Sequence, residues 1–123
     1  MQKAIAFDFL GVLVKHVGAG FVSEEQYLNG EPNPDVVNAI KKLREQGYKV
    51  ILHSTLADEL LETYCKKHGI EIDEINKNSD YQNGNNGKPV AQVYVDDRVI
   101  QYSGQDAQSL ADQIMNFRPY WKK

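Results

Sequence analysis

The chain is predicted to be a single doubly wound α/β domain with a mainly parallel sheet, on three observations. Its 123 residues, 41% hydrophobic and 25% charged, suit one compact core and leave little room for a second module. Short apolar runs alternate with helical patterns along most of the chain. Polar or acidic residues stand at the carboxyl ends of three of those runs. The one stretch that breaks the rhythm, 11–32, is read as a short flap after the first strand.

The elements follow in order. Lys3-Ala4-Ile5-Ala6-Phe7 is a short apolar run that stops at Asp8, the pattern of a buried strand with a charge at its carboxyl end. In the following stretch, Gly18-Ala19-Gly20 and Glu31-Pro32 are turn formers, which predicts a hairpin or flap over the strand ends. Asn33-Pro34-Asp35 then supplies an N-cap, a proline at the first helical position and an acid in the first turn. Val36, Val37, Ile40 and Leu43 recur at helical spacing before Gly47.

Tyr48 to His53 is a second strand, and Ser54-Thr55 can cap a helix through Leu60, Leu61, Tyr64 and Cys65 to Gly69. Ile70 to Ile75 is a weaker third strand, and 76–88, rich in Asn and Gly, is expected to be a mobile loop. Val90 to Val95 is a fourth apolar run that ends in Asp96-Asp97. Asp106 opens a last helical pattern through Leu110, Ile114 and Phe117. Repetition of this kind predicts right-handed crossovers and helices on both faces of the sheet.

Composition narrows the function classes. A formal charge of −3 with lysines interspersed among acids is not a surface built to hold a nucleic-acid backbone, so nucleic acid is not the expected partner. Cys65 is the one cysteine, which excludes an intrachain disulfide and reads as a small buried residue. Met1 to Phe9 is too short an apolar stretch, and too soon interrupted by Asp8, for a signal peptide or a membrane span. A soluble cytoplasmic protein is the expectation. The oligomeric state is open.

In open parallel sheets, ligands collect beyond the carboxyl ends of the strands. There the pattern gathers Asp8, Ser54 with Thr55, and Asp96 with Asp97. Carboxylates held together repel one another unless a hard cation or a lysine compensates, and oxygen ligands beside a phosphate are the usual surroundings of magnesium. Lys88, just before the fourth strand, could supply positive charge; Lys77 competes with it, and Lys88 lies nearer the strand. His53 and Arg98 flank these groups and could touch a substrate. Taken alone, Ser54 is equally an N-cap, His53 a strand-end residue, and Arg98 either a partner of Asp97 or part of the rim. His16 and His68 offer nothing sharper. Tyr120 and Trp121 look like a terminal anchor or, as exposed aromatics, part of an interface.

Four segments carry a family resemblance. Asp8-Phe9-Leu10-Gly11-Val12 resembles the first motif (DxDGT and variants) of the haloacid dehalogenase-like (HAD) superfamily. Leu52-His53-Ser54 resembles the second motif, Lys88-Pro89 the third-motif lysine, and Val93-Tyr94-Val95-Asp96-Asp97-Arg98 the fourth. Their order resembles that of small phosphatases of the superfamily without a cap domain. The resemblance implies a Rossmann-like, HAD-type fold, Mg2+ as cofactor and a phosphorylated small molecule or macromolecule as substrate. It makes Asp8 the nucleophile that accepts a phosphoryl group and gives the transferred phosphate a hydrogen bond from Ser54. Lys88 would neutralise charge. Asp8, Asp96 and the backbone carbonyl of Leu10 would hold the metal, with Asp97 orienting Lys88 or a metal-bound water.

Two positions depart from the family pattern. Leu10 stands where the phosphatases carry an Asp that protonates the leaving oxygen and then activates water, and Val12 replaces a Thr whose hydroxyl helps fix the loop. Leucine can perform neither proton transfer. Because the metal contact at that position is made by the backbone, cation binding and turnover come apart. The expectation is therefore an impaired Mg2+-dependent phosphohydrolase or phosphotransferase, or an inactive relative that binds a phosphorylated ligand. Dehalogenase- and phosphonatase-like hydrolases also lack that acid, but close their sites with cap domains for which 11–32 is too short. A receiver domain would place its acid pair after the first strand, and here the pair follows the fourth run.

Overall fold

The computed structural model describes residues 2–15, 23, 26 and 28–122. Its elements are β1 (Ala4–Asp8), α1 (Pro34–Glu45), β2 (Lys49–His53), α2 (Asp58–His68), β3 (Glu74–Ile75), β4 (Val93–Val95) and α3 (Ala107–Met115). The four strands form one sheet in the order β3-β2-β1-β4, with every pairing parallel. This small α/β domain is consistent with a Rossmann-like fold. Among the described residues no helix is long and apolar enough to cross a membrane.

Local chemistry explains where the elements start and stop. The Asn33 side chain accepts the Asp35 N–H at 3.1 Å, Pro34 opens α1, and Lys42 and Arg44 sit in its last turn, opposite the sense of the helix dipole. Gly69 ends α2 in the left-handed conformation, at φ 65°. The N-terminus of α2 differs from the sequence expectation. Ala57 is its N-cap, and the Ser54 hydroxyl accepts from Leu56 N–H in the turn before the helix, at 3.2 Å. Asp106 caps α3 by accepting Ser109 N–H at 2.9 Å, and the helix ends at Met115, short of Phe117.

The period of two along the strands separates two faces. Ile5 and Phe7 of β1, with Val50 and Leu52 beside them on β2, form the main core with Ile40 of α1 and Leu61, Tyr64 and Cys65 of α2. Each large aliphatic or aromatic side chain buried there contributes about 1.5–3 kcal/mol. The steps β1 to β2 and β2 to β3 run in the same direction, so right-handed crossovers put both helices on this one face. Cys65 is buried and unpaired, as its place in the helical pattern predicts, and burial pushes its thiol up to about 11.

The opposite face corrects the expectation of helices on both sides. It presents Ala4, Ala6 and Ile51, with Ala91 packed on them, and α3 buries none of its residues. The crossover between β3 and β4 supplies cover instead: Asn78 and Pro89 are fully buried. The 76–88 segment, expected to be mobile, is held by its own asparagines. Asn78 donates to Val90 O at 2.9 Å, and Asn85 donates to Asn78 O and Tyr81 O at 3.0 and 2.7 Å. Lys49, nearly buried at the start of β2, joins this network through Glu74 at 2.8 Å and Asn78 at 3.1 Å.

The flap expected over 11–32 is described at its two ends. Val14 bridges to Leu10 and, antiparallel, to Pro32, and Asn33 N–H donates to Leu13 O at 2.7 Å. Its start and finish therefore lie side by side next to the end of β1. Gly18-Ala19-Gly20 and His16 lie outside the described residues.

Candidate functional site

The burial of β1 is complete through Phe7 and breaks at Asp8. His53 ends β2 directly beside Asp8, and Val95 ends β4 beside Phe7, so Asp96 follows next to Asp8. Because the strands are parallel, their carboxyl ends share one edge of the sheet. There Asp8, Asp96 and Asp97 each offer an oxygen, all within 4.8 Å of one another, a group that could hold a metal ion.

The electrostatics of this group are those of uncompensated acids. Burial is the largest influence on Asp8, followed by a hydrogen bond with Asp97 and the charge of Asp96, with the Phe9 N–H at 2.9 Å opposing them; its carboxyl is pushed up to about 8. Asp97 Oδ1 is buried with no hydrogen-bond donor among the described residues while the carboxylates are charged. A proton on Asp8 or a cation among the three would relieve both conditions. Three hard oxygens with one buried acceptor left over fit a hard dication.

Turns and close packing set the positions of these side chains. Asp96 Oδ1 accepts Arg98 N–H at 2.9 Å, which tightens the turn after β4. Asp97 Oδ2 accepts the Trp121 indole N–H at 2.5 Å, and the neighbouring Tyr120 hydroxyl donates to Gly11 O. Tyr120 and Trp121 thus dock on the loops after β1 and β4. Gly11 has φ 84°, and a Cβ there would lie 2.8 Å from Asp97 Cγ and 3.2 Å from Trp121 Nε1. No L side chain fits. Gly11→Ala is accordingly expected to destabilise the protein by more than about 1 kcal/mol in denaturant titration, and to impair divalent-cation binding, because Asp97 must move.

The other sequence-predicted residues are placed less uniformly. Leu10 is half-buried and Val12 is buried, so neither adds a polar side chain to the site. His53, in register with Asp8, has a buried Nδ1 with no partner among the described residues. Ser54 is half-buried in the turn after β2, and Thr55 beside it is exposed. Lys88 lies with its ammonium 4.2 Å from the centre of the Tyr94 ring. Tyr94 pairs with Ala6, so this ring shares the sheet face of Asp8, two residues short of it. Tyr94 also donates to Pro89 O at 2.6 Å and accepts Ala91 N–H at 3.2 Å. Lys77 instead lines a separate cleft of about 640 Å3, which also contains Arg44, Glu62, Lys66 and Asp73 and none of the three acids. Arg98 stacks on Trp121, 5.2 Å from the ring centre, and among the described residues no ion pair joins it to Asp97.

One residue at this edge escaped the sequence reading. Asn76 Oδ1 accepts Ser54 N–H at 2.9 Å and its Nδ2 donates to Asp58 Oδ1 at 2.8 Å, tying the turn after β2 to α2 and to the end of β3. Its φ of 56° is one that asparagine tolerates better than most side chains. The signal was an asparagine directly after an apolar run, hidden by the Asn-rich segment it begins.

A small α/β domain with an acidic cluster at the carboxyl edge of a parallel sheet is thus the class that fold and site define. No family model matches the chain, and no curated protein matches it. Among solved structures it is similar to a conserved protein from Bacteroides thetaiotaomicron, with 25% identity and a TM-score of 0.60 over 94% of this chain and 90% of that one. It is also similar to a chain of the Pnkp1/Rnl/Hen1 RNA repair complex, with 25% identity and a TM-score of 0.59 over 79% of this chain. It spans only 36% of that longer chain. A second structure of the Pnkp1/Rnl/Hen1 complex, at 19% identity and a TM-score of 0.53, shares the fold.

Proposed function

We propose that the chain is a capless HAD-like protein whose Asp8 site binds Mg2+ and a phosphomonoester, borne by a small molecule or a macromolecule. The observation that carries this reading is the meeting of Asp8, Asp96 and Asp97 at one edge of the sheet, with Asp97 Oδ1 buried and without a donor among the described residues. The four motif-like segments and the likeness to a chain of an RNA repair complex support it.

Asp8, Asp96, Asp97 and the Leu10 carbonyl would hold the ion, which when bound screens the carboxylates from an incoming phosphate dianion. Asp8 is the nucleophile: an oxygen of its carboxylate bonds to phosphorus as the bond from phosphorus to the leaving oxygen breaks. Ser54 donates to the transferred phosphate. Lys88, whose ammonium stands over the Tyr94 ring, would balance negative charge on Asp8 and the phosphate once substrate is bound. His53, Thr55 and Arg98 line the approach to substrate. Water then hydrolyses the aspartyl-phosphate.

Leu10 is the weak point of this chemistry. With no carboxyl at position 10, the leaving oxygen must take its proton from solvent, and the attacking water has no positioned base. A second reading follows from the same residue, in which the site binds a phosphorylated ligand without releasing product.

Steady-state hydrolysis of an aryl phosphate, with and without Mg2+, tests the first reading. Slow, Mg2+-dependent turnover that Asp8→Asn abolishes is the expected result. Metal-dependent phosphate binding with no turnover would favour the second, and absence of both would refute the site.

A further inference from the structure

The segment that ends in Tyr120 and Trp121 is distant in sequence from every motif, yet it touches two of the site's loops. The Trp121 indole N–H occupies Oδ2 of Asp97, while Oδ1 of the same carboxylate stays buried with no donor among the described residues when Asp8 is charged. The adjacent Tyr120 hydroxyl holds the Gly11 carbonyl, and Gly11 leaves no space between the two loops for a side chain. Arg98 covers the indole ring. A carboxylate that is free to rotate offers either oxygen; one fixed through Oδ2 offers only Oδ1.

We propose that Trp121 is a positioning residue of the carboxylate site, its indole fixing Oδ2 of Asp97 so that Oδ1 is presented to a divalent cation shared with Asp8 and Asp96. The inference rests on the cation-binding reading of that site. It assigns Trp121 no contact with substrate. Its role is that of an outer partner of a ligating group, a class of residue whose loss typically weakens metal binding by roughly 10-fold to 100-fold. A donor to the free oxygen of a carboxylate fixes its orientation in the same way that second partners fix metal-bound histidines.

The test is Mn2+ binding to the full chain, measured by calorimetry, for the wild type, Trp121→Phe, Asp97→Asn and the double variant. Trp121→Phe keeps an aromatic ring under Arg98 and removes the indole N–H donor. It is expected to weaken Mn2+ binding by roughly tenfold or more, and the double variant to bind no more weakly than Asp97→Asn alone. Tyr120→Phe, which cuts the neighbouring tether but leaves the indole, is expected to keep wild-type affinity. The inference is overturned if Trp121→Phe binds like the wild type, even with a lowered melting temperature. It is also overturned if the two losses multiply in the double variant, or if Tyr120→Phe loses as much as Trp121→Phe. A wild type that binds no Mn2+ would sink the site reading itself, whereas wild-type affinity in Trp121→Phe would sink only this inference.

Discussion

Leu10→Asp is expected to raise Mg2+-dependent hydrolysis of an aryl phosphate by roughly 10²-fold to 10⁴-fold, the usual worth of a positioned general acid and base. Leu10 lies two residues beyond Asp8, half-buried on the loop that Val14 and Gly11 close with a backbone hydrogen bond at 2.8 Å. A carboxyl there would lie two residues beyond Asp8 and outside β1. In the proposed reading, Leu10 removes the two proton transfers, and this substitution tests that loss alone. Asp8→Asn in the Leu10→Asp background should return the rate to the uncatalysed level. A gain that survives the loss of Asp8 would mean that the new carboxyl acts by itself and that Asp8 is not the nucleophile.

Asp8→Asn should also make the metal-free protein more stable than the wild type at pH 8 while abolishing its stabilisation by divalent cations. The folded-state value of Asp8, about 8, lies far above the ordinary aspartate value near 3.9 in an unfolded chain. Between those limits the folded protein holds a proton that the unfolded chain has released, so rising pH favours unfolding, by at most about 1.4 kcal/mol per pH unit. The loss is absent below about pH 4 and complete above about pH 8. Removing the charge removes that slope. Thermal melts from pH 4 to 9, with and without Mg2+, give both readings. An Asp8→Asn protein with the same pH profile as the wild type would show that Asp8 is not the buried acid.

Those expectations rest on parts of the molecule that were unequally legible in the sequence. β1, β2, α1 and α2 could be read because their signals are local: buried runs of four residues, the Asn33-Pro34 cap, and Gly69 at a helix end. β3 and β4 are shorter than their apolar runs, two residues against Ile70 to Ile75 and three against Val90 to Val95. They are the two edges of the sheet, where pairing exists on one side only. The second face was misread because alternation of strands and helices implies a helical cover, and nothing in that pattern shows that Ala4 and Ala6 admit a loop.

The candidate site divides in the same way. Asp8, Asp96 and Asp97 were found because each lies at the end of an apolar run, and parallel pairing brings those ends together. Arg98 was read as a partner of Asp97 or part of the rim, and its contact with Trp121 was not foreseen. That contact spans 23 positions, and the hydrogen bond from Tyr120 to Gly11 spans 109. No local spacing encodes either one. Asn76 was hidden differently, since its role depends on a left-handed backbone that a run of asparagines makes unremarkable.

The central claim is that Asp8 accepts a phosphoryl group at a divalent-cation site, and beryllofluoride tests it independently of Leu10. This anion takes the place of a phosphoryl group on an aspartate carboxylate and needs no proton transfer or turnover. Fluorine NMR of the wild type with beryllofluoride should show bound resonances that require Mg2+ and disappear in Asp8→Asn. The absence of bound signal in the wild type at saturating Mg2+, or its persistence in Asp8→Asn, would contradict the account.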